Sequence, residues 1–286
     1  MFFNLGVVCS LSIDDQFDIG GPEERQKYHT EVAPQLLAAL DDPVMPDLTE
    51  LHPHAALAGK MRQYTERHAA PMPGRLFIDG FANTIRDAGG EIASAVRGKP
   101  FTVDGYLDRI INGAKGANSY GPVVEICGNT GTLPDDEREH PAIAALTTMM
   151  GLLITVHLDF YTPWNEKGPD DHYNLIKIIA HEKGGTPDEA AVLAMELTNK
   201  LVDLFFRLSA QITPQVSPPT RRYVENLGGF LRGNLDWARW TQRYVNRSII
   251  LIDRTEPPAS HTMCPPPYPL VAKWWDLLDP VGDGQP

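Results

Sequence analysis

Apolar residues along this chain recur at intervals of three and four and almost never alternate, the spacing of amphipathic helices rather than strands. The pattern predicts a helix over 1–19, stopped by Gly20-Gly21-Pro22. A second helix over 23–40 carries Leu36, Leu37 and Leu40 on its apolar stripe, with Pro34 placed to bend it. Helical spacing returns over 51–70 and 76–98, separated by Ala70-Pro71-Met72-Pro73-Gly74. Thr102 is placed to cap a further helix carrying Tyr106, Arg109 and Ile110, which loosens around Asn112-Gly113 and Gly116. A long apolar helix over 141–168 turns polar at its end. Helices over 174–184 and 187–208 follow, the latter with Pro187 in its first turn. The last, over 220–246, is rich in aromatics: Tyr223, Phe230, Trp237, Trp240 and Tyr244. Short β-branched runs such as 248–252 sustain no alternation, and no internal repeat is present. The expected fold is an all-α, single-domain helical bundle over 1–254, with a Pro-rich tail over 255–286 forming an irregular strap or lid.

Composition narrows the function. The 286 residues are 42% hydrophobic, ordinary for a globular protein, and carry a net charge of -12. That charge argues against nucleic acid or an anionic membrane as the main partner, so an anionic substrate needs metal ions and local Arg or Lys. The three cysteines, Cys9, Cys127 and Cys264, are widely spaced and contain no C-x-x-C, which fits a reduced, cytoplasmic protein. The apolar run over 142–156, at about 15 residues, falls short of the roughly 20 that cross a bilayer, so no membrane anchor is expected. The N-terminus lacks a basic leader and runs straight into acids.

Those acids are the first chemical signal. In Asp14-Asp15-Gln16-Phe17-Asp18, three carboxylates follow an apolar helix, and Asp14 and Asp18 share a helical face. Carboxylate oxygens at a core's mouth suit Mg²⁺, which binds through one or two carboxylates plus phosphates and water. A bare Asp-Asp-x-x-Asp is more often a solvated helix end. The Asp41-Asp42 pair is blocked from helix by Pro43 and Pro46, and the His52/His54 pair has no third ligand nearby, so both read as surface features.

Four segments together resemble microbial class I terpene synthases. Asp14 to Asp18 matches that family's first metal motif, D-D-x-x-D. Residues 158–166, Leu-Asp-Phe-Tyr-Thr-Pro-Trp-Asn-Glu, occupy the place of its N-D-x-x-S-x-x-x-E motif, with Leu158 where the metal-binding Asn belongs and Thr162 in place of Ser. Asp159, Thr162 and Glu166 still share one helical face, and Asp159 is the expected substitute ligand. Pro163 would kink this helix at a cost of about 3 kcal/mol. A rival frame from Asn174 to Glu182 puts Leu175 and Ile178 at the Asp and Ser positions and fits less well. Residues 231–244 are similar to the family's late helix, with a Gly-Asn, a Trp and an Arg-Tyr pair, a pattern that chain-elongating prenyltransferases lack. Arg109, Asn112 and Gly113 fit the family's diphosphate-sensing Arg, linker and small effector.

The resemblance implies a bundle of the isoprenoid synthase type. Asp14, Asp15 and Asp18 on one side, with Asp159, Thr162 and Glu166 on the other, would hold a cluster of three Mg²⁺. Arg109 and Arg243 would contact a prenyl diphosphate, with Asn112, Gly113 and Tyr244 closing the site. It implies Mg²⁺-dependent cyclisation of farnesyl diphosphate to a sesquiterpene, with geranyl and geranylgeranyl chains left open, in a protein that would assemble as a homodimer. Phe2, Phe3, Phe81, Phe160 and Trp237 are candidate walls for a carbocation. Alternatives are a homologue that binds the diphosphate with little turnover and, third, a chain-elongating prenyltransferase. Only thirteen residues precede the first motif. Either the start is misassigned or the first helices are missing and the cavity is open.

Overall fold

A computed structural model describes residues 2–18, 20–42, 47–98, 101–113, 117–128, 130–161, 173–244 and 264–279, with the side chains of 2–5, 7, 18 and 117–119 left aside. Twelve helices and no strand occur among them: α1 Phe2–Asp18, α2 Pro22–Asp41, α3 Pro53–His68, α4 Pro71–Val96, α5 Val103–Ile111, α6 Ala117–Cys127, α7 Asp135–Arg138, α8 Pro141–Asp159, α9 Leu175–Lys183, α10 Pro187–Ile212, α11 Pro218–Trp240 and α12 Pro269–Ala272. The all-α expectation holds.

Proline sets where most of these helices begin. It opens α2, α3, α4, α8, α10, α11 and α12, where its missing N–H is not needed and its fixed φ is already helical. This corrects the separator expected at 70–74: Pro71 starts α4, and Pro73 and Gly74 lie inside its first turn. Side chains complete other starts. The Thr102 hydroxyl accepts from the Gly105 N–H at 3.0 Å, and Thr186 and Glu189 cap α10 reciprocally. His52 caps α3, and His54 Nδ1 lies 2.6 Å from the Tyr28 hydroxyl, so that pair has structural work rather than a free surface position.

Two apolar clusters form the core. Helices α1 to α4 enclose one, in which Cys9, Ile13 and Phe17 of α1 meet Leu36, Met61, Phe77, Phe81 and Ile85. The larger cluster surrounds α8 with side chains of α5, α9, α10 and α11. Helix α6, which the hydrophobic pattern did not reveal, joins them: Val124 belongs to the α8 cluster, while Val123 and Ile126 pack on the other. Helix α8 is long and apolar enough by length and composition to cross a membrane, but 67% of that window is buried by its neighbours. It reads as the central post of the bundle. The tail from 264 also enters this core, with Val271 and Trp274 buried and Gln211 bonded to the Leu277 carbonyl at 3.0 Å. Cys9, Cys127 and Cys264 are free thiols.

Candidate active site

The residues of α1 show why its acids are presented. Gly6, Cys9, Ile13 and Phe17 form its buried stripe, spaced three, four and four. Asp14 and Asp15 follow Ile13 and fall off that stripe, half-exposed at the C-terminal end. Carboxylates there face the negative end of the helix dipole, and no basic residue lies in the last turn to offset it. Such a cluster calls for a cation.

One arrives from far along the chain. Helix α11 stops at Trp240, short of the expected 246, because Thr241 turns extended and its hydroxyl accepts from the Arg243 N–H at 3.4 Å. The Tyr244 N–H closes the turn on the Thr241 carbonyl at 3.1 Å. This turn swings Arg243 onto α1: a guanidinium nitrogen lies 2.6 Å from Asp15 Oδ1 and another 3.8 Å from Asp14 Oδ2. Burial opposes the Arg243 charge, but hydrogen bonds to Tyr244 and Asp15 outweigh it and raise its pKa above the ordinary value. Tyr244 is buried, edge-on to Trp237 at 5.6 Å and 6.0 Å from the Tyr161 ring. Since Tyr161 follows the end of α8, the ends of α1, α8 and α11 converge.

The end of α8 is built differently. The helix stops at Asp159 rather than 168, with Phe160 and Tyr161 donating to the His157 and Leu158 carbonyls in tight i→i−3 bonds. Asp159 Oδ2 accepts from the Tyr106 hydroxyl at 2.6 Å and the Leu175 N–H at 2.7 Å, while Asn174 Nδ2 donates to the Asp159 carbonyl. Asp159 therefore pins α5 and the start of α9 to α8. The Tyr106 pKa is driven well above its usual value by burial and then by Asp159. His157, one turn before Tyr161, has Nδ1 buried with no hydrogen-bond partner among the described residues, and burial pushes its pKa down to about 4. Thr162 and Glu166 lie outside the described residues, as does the Asp18 side chain, so the shared face with Asp159 belongs to the sequence reading alone.

Arg109 is close-set in a third cluster. Its guanidinium donates to Asp87 Oδ2 at 2.8 and 3.3 Å and to the Asp87 carbonyl at 2.7 Å. It also lies 4.9 Å from the Phe101 ring centre and 5.0 Å from that of Tyr173. Burial opposes its charge, but Tyr173, Asp87 and Glu91 outweigh it and hold its pKa above the ordinary value. Asn112 caps α5 and donates to Asp108 at 2.7 Å, turned to solvent rather than toward Arg109. Gly113 passes so close that a Cβ there would lie 2.1 Å from the Arg109 carbonyl oxygen, so only glycine fits. One sequence signal lies beside Asp87: Gly89-Gly90 sits inside a helix, where glycine is otherwise costly.

The chain matches the family model described as terpene synthase family 2, C-terminal metal binding, over residues 7–204. The chain belongs to the class I terpene synthase family. The (+)-T-muurolol synthase of Streptomyces clavuligerus, named as cyclising (2E,6E)-farnesyl diphosphate, is 29% identical over 155 residues, 52% of this chain and 37% of that protein. The matched stretch is thus about a third of that synthase. Among solved structures, a variant of the SVS_A2 protein from ancestral sequence reconstruction superposes with a TM-score of 0.78 at 22% identity, over 96% of this chain and 79% of that one. The 2-methylisoborneol synthase of Streptomyces coelicolor A3(2), solved with Mg²⁺ and geranyl-S-thiolodiphosphate, gives 0.69 at 22% identity over 84% of this chain and 77% of that one. These likenesses carry the class I terpene synthase fold.

The donors of this terpene synthase-family chain fit a divalent metal of the hard kind. No group of three or more His, Cys, Asp or Glu side chains gathers into a cage among the described residues. Mg²⁺ requires none, since substrate phosphates and water complete its shell around one or two carboxylates such as Asp14 and Asp15.

Proposed function

We propose that this chain is a Mg²⁺-dependent terpene cyclase that ionises a prenyl diphosphate, farnesyl diphosphate first, and cyclises the resulting carbocation with release of diphosphate. The observation that carries the reading is the meeting of Arg243 with Asp14 and Asp15, residues far apart in sequence. It joins the first metal motif to the late-helix Arg-Tyr pair, the pattern that chain-elongating enzymes lack. The farnesyl chain length is supported by the muurolol synthase name.

Diphosphate leaves only when its charge is neutralised, and bound Mg²⁺ supplies that neutralisation. Asp14 and Asp15, with Asp18, would hold the metal, as a cluster of three in the full reading. Thr162 and Glu166 would serve from the far side. Arg243 would exchange its carboxylate partners for phosphate oxygens, for which its planar fork is suited. Arg109 would add a second guanidinium, with Asn112 and Gly113 shaping the turn beside it. Tyr244, between Trp237 and Tyr161, would close an aromatic wall that excludes water and faces cationic charge. A homodimer is part of this reading.

A second reading, diphosphate binding with little turnover, draws on Leu158 at the Asn position and on the hydrogen bonds that occupy Asp159 Oδ2. Incubation with geranyl, farnesyl and geranylgeranyl diphosphates, with Mg²⁺ or with EDTA, followed by hydrocarbon analysis separates the two. Metal-dependent cyclic products from the farnesyl substrate are expected. Diphosphate-dependent thermal stabilisation without products from any substrate would transfer the conclusion to the second reading.

A further inference from the structure

Arg109 is the cation the functional reading assigns to diphosphate, yet here a side chain of α4 already holds it. Among the described residues its guanidinium makes three hydrogen bonds, all to Asp87: two to Oδ2 and one to the backbone carbonyl. The pair is sheltered, with side chains 13% and 24% exposed, so it is neither a loose surface bridge nor a fully sealed one. The guanidinium packs against the helix beneath at Gly90, where a Cβ would stand in ordinary contact, 3.6 Å from an Arg109 terminal nitrogen. At Gly89 the absent side chain admits the His29 ring of α2, which a Cβ would meet at 2.6 Å. A glycine inside a helix costs roughly 1 kcal/mol against alanine, and at Gly89 the space it leaves is filled by a group from another helix.

The seat also connects to the end of α8. Tyr106 and Arg109 stand at i and i+3 on α5, both against Tyr173, whose ring centre lies 5.4 Å from that of Tyr106. Tyr106 in turn donates to Asp159. The Arg109 seat thus abuts the segment that carries the second motif.

We propose that Asp87 is a positioning residue: it parks Arg109 in the ligand-free enzyme, and diphosphate must take the guanidinium from it. Asp87 Oδ2 and its carbonyl hold Nε and one terminal nitrogen of Arg109, the donors that phosphate oxygens would also engage, so carboxylate and diphosphate compete for one fork. Binding is then weakened by the fraction of molecules in which Arg109 remains parked. This rests on the assignment of Arg109 to diphosphate, and the two fail separately.

The test is a titration of inorganic pyrophosphate with Mg²⁺ into the wild type, Asp87→Asn, Asp87→Ser, Arg109→Gln and the Asp87→Asn/Arg109→Gln double variant, each with a thermal melt. Removing the Asp87 charge is expected to tighten pyrophosphate binding by about tenfold while lowering the melting temperature. A merely structural pair would move both in the unfavourable direction. Arg109→Gln is expected to weaken binding and to cancel the Asp87→Asn gain in the double variant. If Arg109→Gln binds as the wild type does, the Arg109 assignment falls and the proposal with it. If Arg109→Gln weakens binding but neither Asp87 variant tightens it, or if both fail to fold, the proposal alone is overturned.

Discussion

The ends of α1 and α8 both present aspartates at the negative pole of a helix, but the two are spent differently. At α1, Asp14 and Asp15 are half-exposed and meet a guanidinium supplied by a turn from the opposite end of the chain. At α8, Asp159 Oδ2 is bound into the scaffold by the Tyr106 hydroxyl and the first N–H of α9. A partly buried arginine side chain at the site's mouth can be exchanged for a metal and a phosphate. The first N–H of α9 has no partner within its own helix, so Asp159 completes that helix start. The contrast teaches that carboxylates at two motif positions can sit in different settings, one against an exchangeable side chain and the other with an oxygen built into the scaffold.

The strongest way to break this comparison is at α1. The Asp14→Ala/Asp15→Ala double variant is expected to lose turnover by about 10³-fold, the scale of removing a preorganised electrostatic group, with its melting curve nearly unchanged. A loss of folding instead would place these acids in the scaffold as well. Next, Asp159→Ala is expected to lower the unfolding free energy by about 3 kcal/mol, because it orphans a buried phenol and a helix N–H; urea denaturation reads this. Asp15→Asn is expected to raise the Mg²⁺ concentration for half-maximal activity by about tenfold, and Asp159→Asn to leave it unchanged. Equal shifts from the two would restore a symmetrical clamp.

The smallest effect concerns a third committed carboxylate. Glu137 of α7 accepts from the Ser217 N–H and hydroxyl at 2.8 and 2.6 Å and from the Thr220 hydroxyl, capping α11 from another helix. The Ser217 and Thr220 hydroxyls hold its pKa below the usual 4.5. A depressed folded pKa means its stabilisation is full at neutral pH and is lost as pH falls through that lower value. Glu137→Gln is therefore expected to cost about 1 kcal/mol at pH 7, with the gap to wild type closing in acid. A gap that widens on acidification would contradict this cap.

Much of the bundle was legible from periodicity, since α1, α2, α8 and α10 have long apolar stripes that only a helix satisfies. Helix α6 was not, because Gly121 and Pro122 interrupt it and its apolar side chains are divided between two cores. The Arg243–Asp15 meeting was foreseen only through family resemblance; nothing in the spacing of residues 15 and 243 implies contact. The structural use of Asp159 was hidden for a related reason. Its partners, Tyr106 and Leu175, stand 53 and 16 residues away, and a sequence shows ligand chemistry more readily than the bonds that consume it. The helix boundary at Asp159 was misread because Phe160 and Tyr161 continue the apolar pattern after the backbone has tightened.

The buried Val271 and Trp274 carry a practical consequence. They fill the underside of the α8 core, and Gln211 of α10 clasps the segment from both sides through the Leu277 carbonyl and the Asp279 N–H. An expression boundary drawn at the start of the Pro-rich region would strip an indole from the core and bare the apolar flank of α5 and α8. Shortened versions made for crystallisation are thus headed for inclusion bodies, and affinity tags belong beyond residue 279.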